Sequence, residues 1–440
     1  MNTKSLFKIF DDFTSKQLSK INAILDPKQT DLSPALKKEG QPGLDLANRK
    51  KRNPGGFAVG LDIGSSKITV VVGKLAANDL IEVIGTGEAN CDGLIRGSIS
   101  NINKVSAAIK LALSVASAQA NVNIQEVYAS YSGAITNHVE HGVLLRDDLA
   151  SEINENDIFN LRQEMHNAVL PAGEKLIYLQ AKPYTIDSEP GILDPIGMAG
   201  RRIEADFQLV TANSVPIEYL YKCCAQSNVV LKDVVPASVA TAEAVLCHEE
   251  MEEGVAVIDI GAAVTSIAIY NKGNLIRTEN FPLGGNNISM DIRDFTGLQL
   301  RQAELLKKQF GNVKPDGIPL NEFIEVKILN GTKFKQVFRK ELCEVIKSRV
   351  EELISIAFSI VTDALKRDKL KFGIVFTGGA SSLPYFKELA HEITGAQCHL
   401  GNTSLHLAEQ PLKTELSGDI RNRPDYATAI GLVKIGLLDH

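Results

Sequence analysis

Apolar and polar positions follow different periods in different parts of the chain. From Leu6 to Leu25 the apolar side chains Leu6, Phe7, Ile9, Phe10, Phe13, Leu18, Ile21 and Ile24 recur at helical spacing, and at about 100° per residue they fall on one half of a helix. Lys4, Lys8, Asp11, Lys16 and Lys20 fall on the other half. The pattern predicts an amphipathic helix over 1–25, ended by Pro27. A flexible linker follows over 26–56, with Pro34, Pro42, Pro54 and the basic run Arg49-Lys50-Lys51-Arg52. A tethered helix with a cationic rim suits an anionic membrane interface. A groove on a partner protein, or the chain's own body, would also accept it.

A second pattern begins at Phe57. Two β-branched runs flank the polar tip Asp62-Ile63-Gly64-Ser65-Ser66-Lys67, which predicts a strand, a tight turn and a second strand over 57–75. An acidic residue followed by glycine and two hydroxyls suits a phosphate loop, in which turn amides face the anion and the carboxylate reaches a hydrated cation. An ordinary hairpin with a polar tip fits this stretch equally well. The pattern returns over 255–270, where Asp259 and Gly261 repeat Asp62 and Gly64, so the chain reads as duplicated, with two related halves facing each other across a cleft. A third apolar run, Phe372 to Phe376, enters Thr377-Gly378-Gly379-Ala380-Ser381. Glycines at such a strand-to-helix junction let a ligand approach the backbone.

Between these motifs the periodicity predicts helices at 101–119 (capped by Ser100), 154–169, 214–227 and 340–366, with strands at 80–89, 175–187 and 201–211. The pattern loosens over 134–230, which reads as an inserted subdomain with an interaction surface.

Composition narrows this picture. At 440 residues there is room for two or three domains, and a formal net charge of -6 gives no reason to expect nucleic acid as a partner. The six cysteines show no metal-ligand spacing and are sparse for a disulfide framework. No apolar run approaches the ~20 residues that span a bilayer.

Asp62-Ile63-Gly64-Ser65-Ser66-Lys67, Asp259-Ile260-Gly261 and Thr377-Gly378-Gly379-Ala380-Ser381, in this order, resemble the phosphate 1, phosphate 2 and adenosine motifs of the actin-like ATPase superfamily. Within it, Gly93-Leu94-Ile95-Arg96-Gly97, Tyr131-Ser132-Gly133 and the insertion that follows resemble the FtsA family, bacterial division proteins that anchor FtsZ filaments to the membrane. The resemblance spans about 57–437. It implies an α/β, duplicated actin-like ATPase fold: two domains around a nucleotide cleft with an inserted 1C-type subdomain. Domain 1 would comprise 57–133 and 231–253, the insertion 134–230, and domain 2 254–440.

The resemblance also assigns roles. Asp62 would meet the Mg2+-linked phosphates with Gly64, Ser65, Ser66 and Lys67. Asp259, which would also hold Mg2+ through water and is the candidate catalytic residue, would form the opposing clamp with Gly261, Ala262 and Ala263. Gly285, Glu304, Lys307, Gly378, Gly379 and Ala380 would line the ribose and adenine. ATP and Mg2+ are the implied cofactors. FtsZ, further copies of the chain in filaments, an anionic membrane surface, and other division proteins through the insertion are the implied partners. The place would be the cytoplasmic membrane face at the division site, with Leu6, Phe7, Phe10, Phe13, Lys16 and Lys20 meeting the lipid.

Two departures qualify this. Relatives continue the second hairpin with two glycines, a Thr and a later Asp, where Ala262, Ala263, Val264 and Ser266 stand here. If either glycine position requires a positive φ, alanine costs ~1–2 kcal/mol there; Val264 offers no hydroxyl and Ser266 no charge, so ATP is expected to bind with slow or absent hydrolysis. Relatives commonly carry an amphipathic targeting helix after a C-terminal linker, whereas here the last predicted helix runs to the final residues, so the N-terminal helix is expected to be a relocated anchor. A PilM-like scaffold of a membrane assembly machine and a small-molecule kinase of the same fold are the alternatives; a kinase lacks a nameable catalytic base here.

Overall fold

The computed structural model describes residues 44–45, 56–76, 79–146, 152–168, 170–328, 334–365, 370–408 and 420–438. The expected helix at 1–25, with Leu6, Phe7, Phe10, Phe13, Lys16 and Lys20, lies outside the described residues.

Two five-stranded sheets share one plan. The first runs Val230–Pro236, Glu126–Tyr131, Phe57–Ile63, Lys67–Leu75, Ile81–Asn90; the second runs Cys398–Leu400, Gly373–Thr377, Val255–Ile260, Thr265–Asn271, Asn274–Phe281. In each, an antiparallel three-stranded meander is extended by two parallel strands. The duplication expected from two hairpins is therefore a duplication of whole sheets. Val255–Ile260 is apolar without alternation because both its faces are covered. Val255 and Val257 join the core shared with the first lobe, and Ala256, Ile258 and Ile260 join the second lobe's own core.

Two buried helices connect the lobes. Every residue of Ala237–Val245 is buried, the polar Ser238, Thr241 and Glu243 included, and it crosses Ala427–Leu438 at very short range. A Cβ on Gly431 would lie 1.6 Å from the Ala240 carbonyl oxygen. Ala427–Leu438 was expected in domain 2 but packs on the first sheet, where a Cβ on Gly60 would lie 2.2 Å from the Ala429 oxygen. The residues of this last described helix pack in the first lobe's core.

The insertion is an antiparallel sheet of Ile135–Leu145, Glu174–Ala181, Tyr184–Ile186, Glu189–Ile192 and Arg202–Asn213, with the helix Glu155–His166 on one face. Its spatial end lies near 213, not 230. Helix Ser214–Gln226 buries Ile217, Leu220, Cys223 and Cys224 in the first lobe's core. Ile135–Leu145, an edge strand with one buried residue, was not expected. Leu44–Asp45, inside the expected linker, adds a short strand parallel to Tyr178 and Leu179 of the insertion.

The insertion also holds the second lobe. The Asn137 side chain accepts from the Thr278 N–H (3.0 Å) and donates to its carbonyl (2.7 Å), and Gln180 Oε1 accepts from the Leu275 N–H at 2.9 Å. These amides cap backbone groups on Asn274–Phe281, the edge of the second sheet, as a further strand would.

Candidate nucleotide site

The two polar tips are built alike. Strand Phe57–Ile63 pairs with Lys67–Leu75 up to Ile63 opposite Ile68, and Val255–Ile260 pairs with Thr265–Asn271 up to Ile260 opposite Thr265. At the first tip the amides of Gly64, Ser65 and Ser66 make no backbone hydrogen bond among the described residues. At the second, the Gly261 N–H is closed onto the Val264 carbonyl at 3.0 Å, while the Ala262 and Ala263 amides make no such bond. Outward-facing amides of this kind form an anion-binding concavity.

Each tip carries a carboxylate with hydroxyl partners from elsewhere. Ser130, at the end of the neighbouring parallel strand, donates to Asp62 Oδ1 at 2.7 Å and accepts the Ile63 N–H at 3.0 Å. Thr241 and Thr428, one from each connecting helix, donate to Asp259 Oδ2 at 3.0 and 3.3 Å and lie 2.9 Å from each other. Burial pushes the Asp62 carboxyl up, against the Ser130 bond and the nearby Lys67 charge. Burial and then the charge of Asp62 push Asp259 up to about 6. Asp62 thus adds to the burial that makes a negative charge costly at Asp259, and a cation beside the two would offset that cost.

The expected strain at the second tip is absent. Neither Ala262 nor Ala263 has a positive φ, so the alanines carry no left-handed penalty. Glycine is required instead where backbone meets backbone or a carboxylate. A Cβ on Gly284 would lie 2.6 Å from the Gly261 oxygen, and one on Gly378, at φ 84°, would lie 2.3 Å from Asp259 Oδ1. Val264 is buried, with its Cγ2 3.0 Å from where a Cβ on Gly97 would sit. Ser266 is the strand partner of Asp259 and is buried without a charge.

The residues expected at ribose and adenine also converge. Lys307 Nζ is buried between the Gly285 carbonyl (2.8 Å), Ser289 Oγ (2.9 Å) and Glu304 Oε2 (2.6 Å). Burial lowers its pKa, with Glu304 opposing. Glu304 is held below the ordinary carboxylate range, since Lys307 and Ser289 outweigh its burial. Around Gly285 a Cβ would be 3.7 Å from that of Ala380, and a Cβ on Gly379 would meet open space. The Gly285 and Asn286 amides, however, are already bonded to the carbonyls of Gly261 and Ala262 at 2.9 and 2.7 Å. They brace the second tip and are not open to phosphate.

Lys67 is also committed, to Glu88 and, at 2.6 Å, to Asp425. That contact, with Ser130, Thr241 and Thr428, was not anticipated. One signal for the threonines exists in the sequence: Ala240-Thr241-Ala242 recurs as Ala427-Thr428-Ala429, repeating with the sheets.

The donor set fits a magnesium nucleotide: tip amides without a backbone partner, two half-buried carboxylates, and Gly379 bordering open space near the Lys307–Glu304 pair. Among the described residues no cluster of three or more His, Cys, Asp or Glu side chains could hold a metal ion.

Comparison with known proteins gives a consistent result. The profile of the family described as "Cell division protein FtsA" matches residues 256–431, and that of the "SHS2 domain inserted in FTSA" matches 133–211, close to the insertion's spatial limits. The chain is similar to the cell division protein FtsA of Pseudomonas aeruginosa, 30% identical over 391 residues, covering 87% of this chain and 90% of that one. It is likewise similar to FtsA of Neisseria meningitidis, 30% identical over 384 residues, covering 85% and 88%. Among solved structures it resembles a PilM-PilN type IV pilus biogenesis complex, with a TM-score of 0.60 at 17% identity, covering 88% of this chain and 99% of that one. That last likeness is one of fold.

Proposed function

The chain belongs to the FtsA family of actin-like cell division proteins, and from that premise we propose that it binds ATP with Mg2+ between its lobes, assembles into filaments and holds FtsZ at the cytoplasmic face of the membrane at the division site. The observation that carries the nucleotide reading is the pair of like-built tips, each with free amides and a half-buried carboxylate, together with Lys307 and Gly378-Gly379. Bound Mg2+ supplies countercharge to the phosphates. Asp62 and Asp259 would hold it through water, the amides of Gly64, Ser65, Ser66, Ala262 and Ala263 would hold the phosphates, and Glu304 and Lys307 would orient the nucleoside.

Holding is favoured over cutting. Val264 presents methyl groups and Ser266 no carboxylate, so nothing at the second tip beyond Asp259 orients an attacking water. Phosphate release at the rate of a turning-over cytoskeletal ATPase, lost in Asp259→Ala, would overturn this. The segment at 1–25 is assigned to lipid through Leu6, Phe7, Phe10 and Phe13, with Lys16 and Lys20 at the headgroups, and the insertion to other division proteins. The test is a lipid monolayer with ATP, the intact chain and FtsZ. Filaments and recruited FtsZ are expected, and lipid binding is expected to disappear when residues 1–52 are removed. FtsZ left in solution would reject the tether, and equal liposome sedimentation with and without residues 1–52 would reject the anchor.

A further inference from the structure

A charged cluster beside the first tip is not explained by phosphate binding. Lys67 Nζ donates to Glu88 and Asp425 and lies 4.8 Å above the Tyr426 ring. Arg423 grips the same Asp425 through Nε (2.8 Å) and Nη2 (2.6 Å), reaches Glu88 Oε1 at 3.0 Å, and also lies 4.8 Å from the Tyr426 ring. Two cations thus share two carboxylates. The arrangement spans the chain, because Lys67 and Glu88 stand on the first sheet and the other three precede the helix Ala427–Leu438. The same turn touches the other motifs: Thr377 Oγ1 donates to the Pro424 carbonyl at 3.4 Å, and Thr428 donates to Asp259.

We propose that Asp425, aligned by Arg423, is a positioning residue that governs how readily the Lys67 ammonium reaches a phosphate oxygen of the nucleotide. The proposal rests on the nucleotide reading above. Lys67 directly follows the Ser65 and Ser66 amides, so its stem starts within reach of the anion those amides would hold. Two of the three ammonium N–H donors of Lys67 point to carboxylates, so for the ammonium to move onto a phosphate oxygen it must release a carboxylate partner. The exchange strands no charge, because the planar Arg423 fork already makes two bonds to Asp425 and one to Glu88. The carboxylate therefore competes with the ligand for Lys67, and its removal should strengthen binding, the reverse of what loss of a structural contact does.

The experiment is titration of the intact chain with Mg-ATP, comparing Asp425→Asn, Lys67→Met and the double variant, with mass-spectrometric measurement of the acetylation rate of Lys67. Asp425→Asn is expected to tighten ATP binding about three- to tenfold and to speed acetylation of Lys67. In the Lys67→Met background it is expected to change affinity by less than about twofold. Weaker binding in Asp425→Asn whether or not Lys67 is present, or unchanged acetylation, overturns the proposal. Faster acetylation with no ATP bound by any variant instead removes the nucleotide reading and leaves the hold of Asp425 on Lys67 standing. If Asp425→Asn does not fold, Glu88→Gln removes the other partner of Lys67 and carries the same expectations.

Discussion

Asp259 sits where folding and ligand binding make opposite demands. Its carboxyl is raised to about 6 from an ordinary 3.8, by burial first and by Asp62 second. A carboxylate raised in the folded state contributes stability that is complete below its ordinary value and lost as pH climbs through the raised one. Unfolding free energy should therefore fall between about pH 4 and 6 by something on the order of 2–3 kcal/mol. Asp259→Asn, which keeps an oxygen for Thr241 and Thr428, should lack that fall and exceed the wild type in urea midpoint at pH 7 while binding Mg-ATP more weakly. Parallel stability profiles for the two proteins from pH 4.5 to 7.5 would contradict this. At the same scale, Ala262 and Ala263 show what a motif comparison misses: a glycine pattern marks either backbone angle or close approach, and only coordinates separate the two. Here close approach belongs to Gly284 and Gly378.

Among the elements, the crossing of Ala237–Val245 with Ala427–Leu438 is the most demanding contact. Replacing an interior helical glycine by alanine ordinarily gains up to about 1 kcal/mol in propensity. At Gly431 the added carbon would lie 1.6 Å from the Ala240 oxygen, so overpacking wins and Gly431→Ala should cost at least about 3 kcal/mol. Urea unfolding is the measurement, and a midpoint at or above wild type would show that the helices part cheaply. What the sequence reveals at this scale depends on burial. Strands covered on both faces, such as Val255–Ile260, declare themselves as β-branched runs, and the amphipathic stripe of Arg339–Leu365 gave its helix within a residue of the observed limits. Ile135–Leu145 has no such run because it is an edge strand open on most of its length. Ser214–Gln226 was legible as a helix but not as a member of the first core, since the same apolar stripe would serve either neighbour. The cluster of Lys67, Glu88, Arg423, Asp425 and Tyr426 left no local pattern at all: its members come from three distant stretches and meet only through the duplicated fold.

At the scale of the molecule, the insertion is rooted in the first lobe yet bonded to the second. Asn137 satisfies both backbone groups of Thr278, so relative motion of the lobes must either break those bonds or carry the insertion with it. Asn137→Ala should leave the two sheets intact but remove about 1 kcal/mol or more of local protection. Hydrogen exchange should show faster exchange of the Thr278 amide and unchanged exchange at Val257 and Ile258 within the sheet. Equal protection at Thr278 in both proteins would mean that the capping amide is not needed there.

The short pairing of Leu44–Asp45 with Tyr178 and Leu179 fixes where a pull on the N-terminal segment is felt. A pull carried along the backbone from the N-terminal side reaches this pairing before it reaches Phe57. Tension along it loads the strand Glu174–Ala181 before it reaches the nucleotide lobes. The insertion thus becomes the part of the molecule that bears mechanical load, and its own Gln180, bonded to Leu275, is where that load passes to the second lobe.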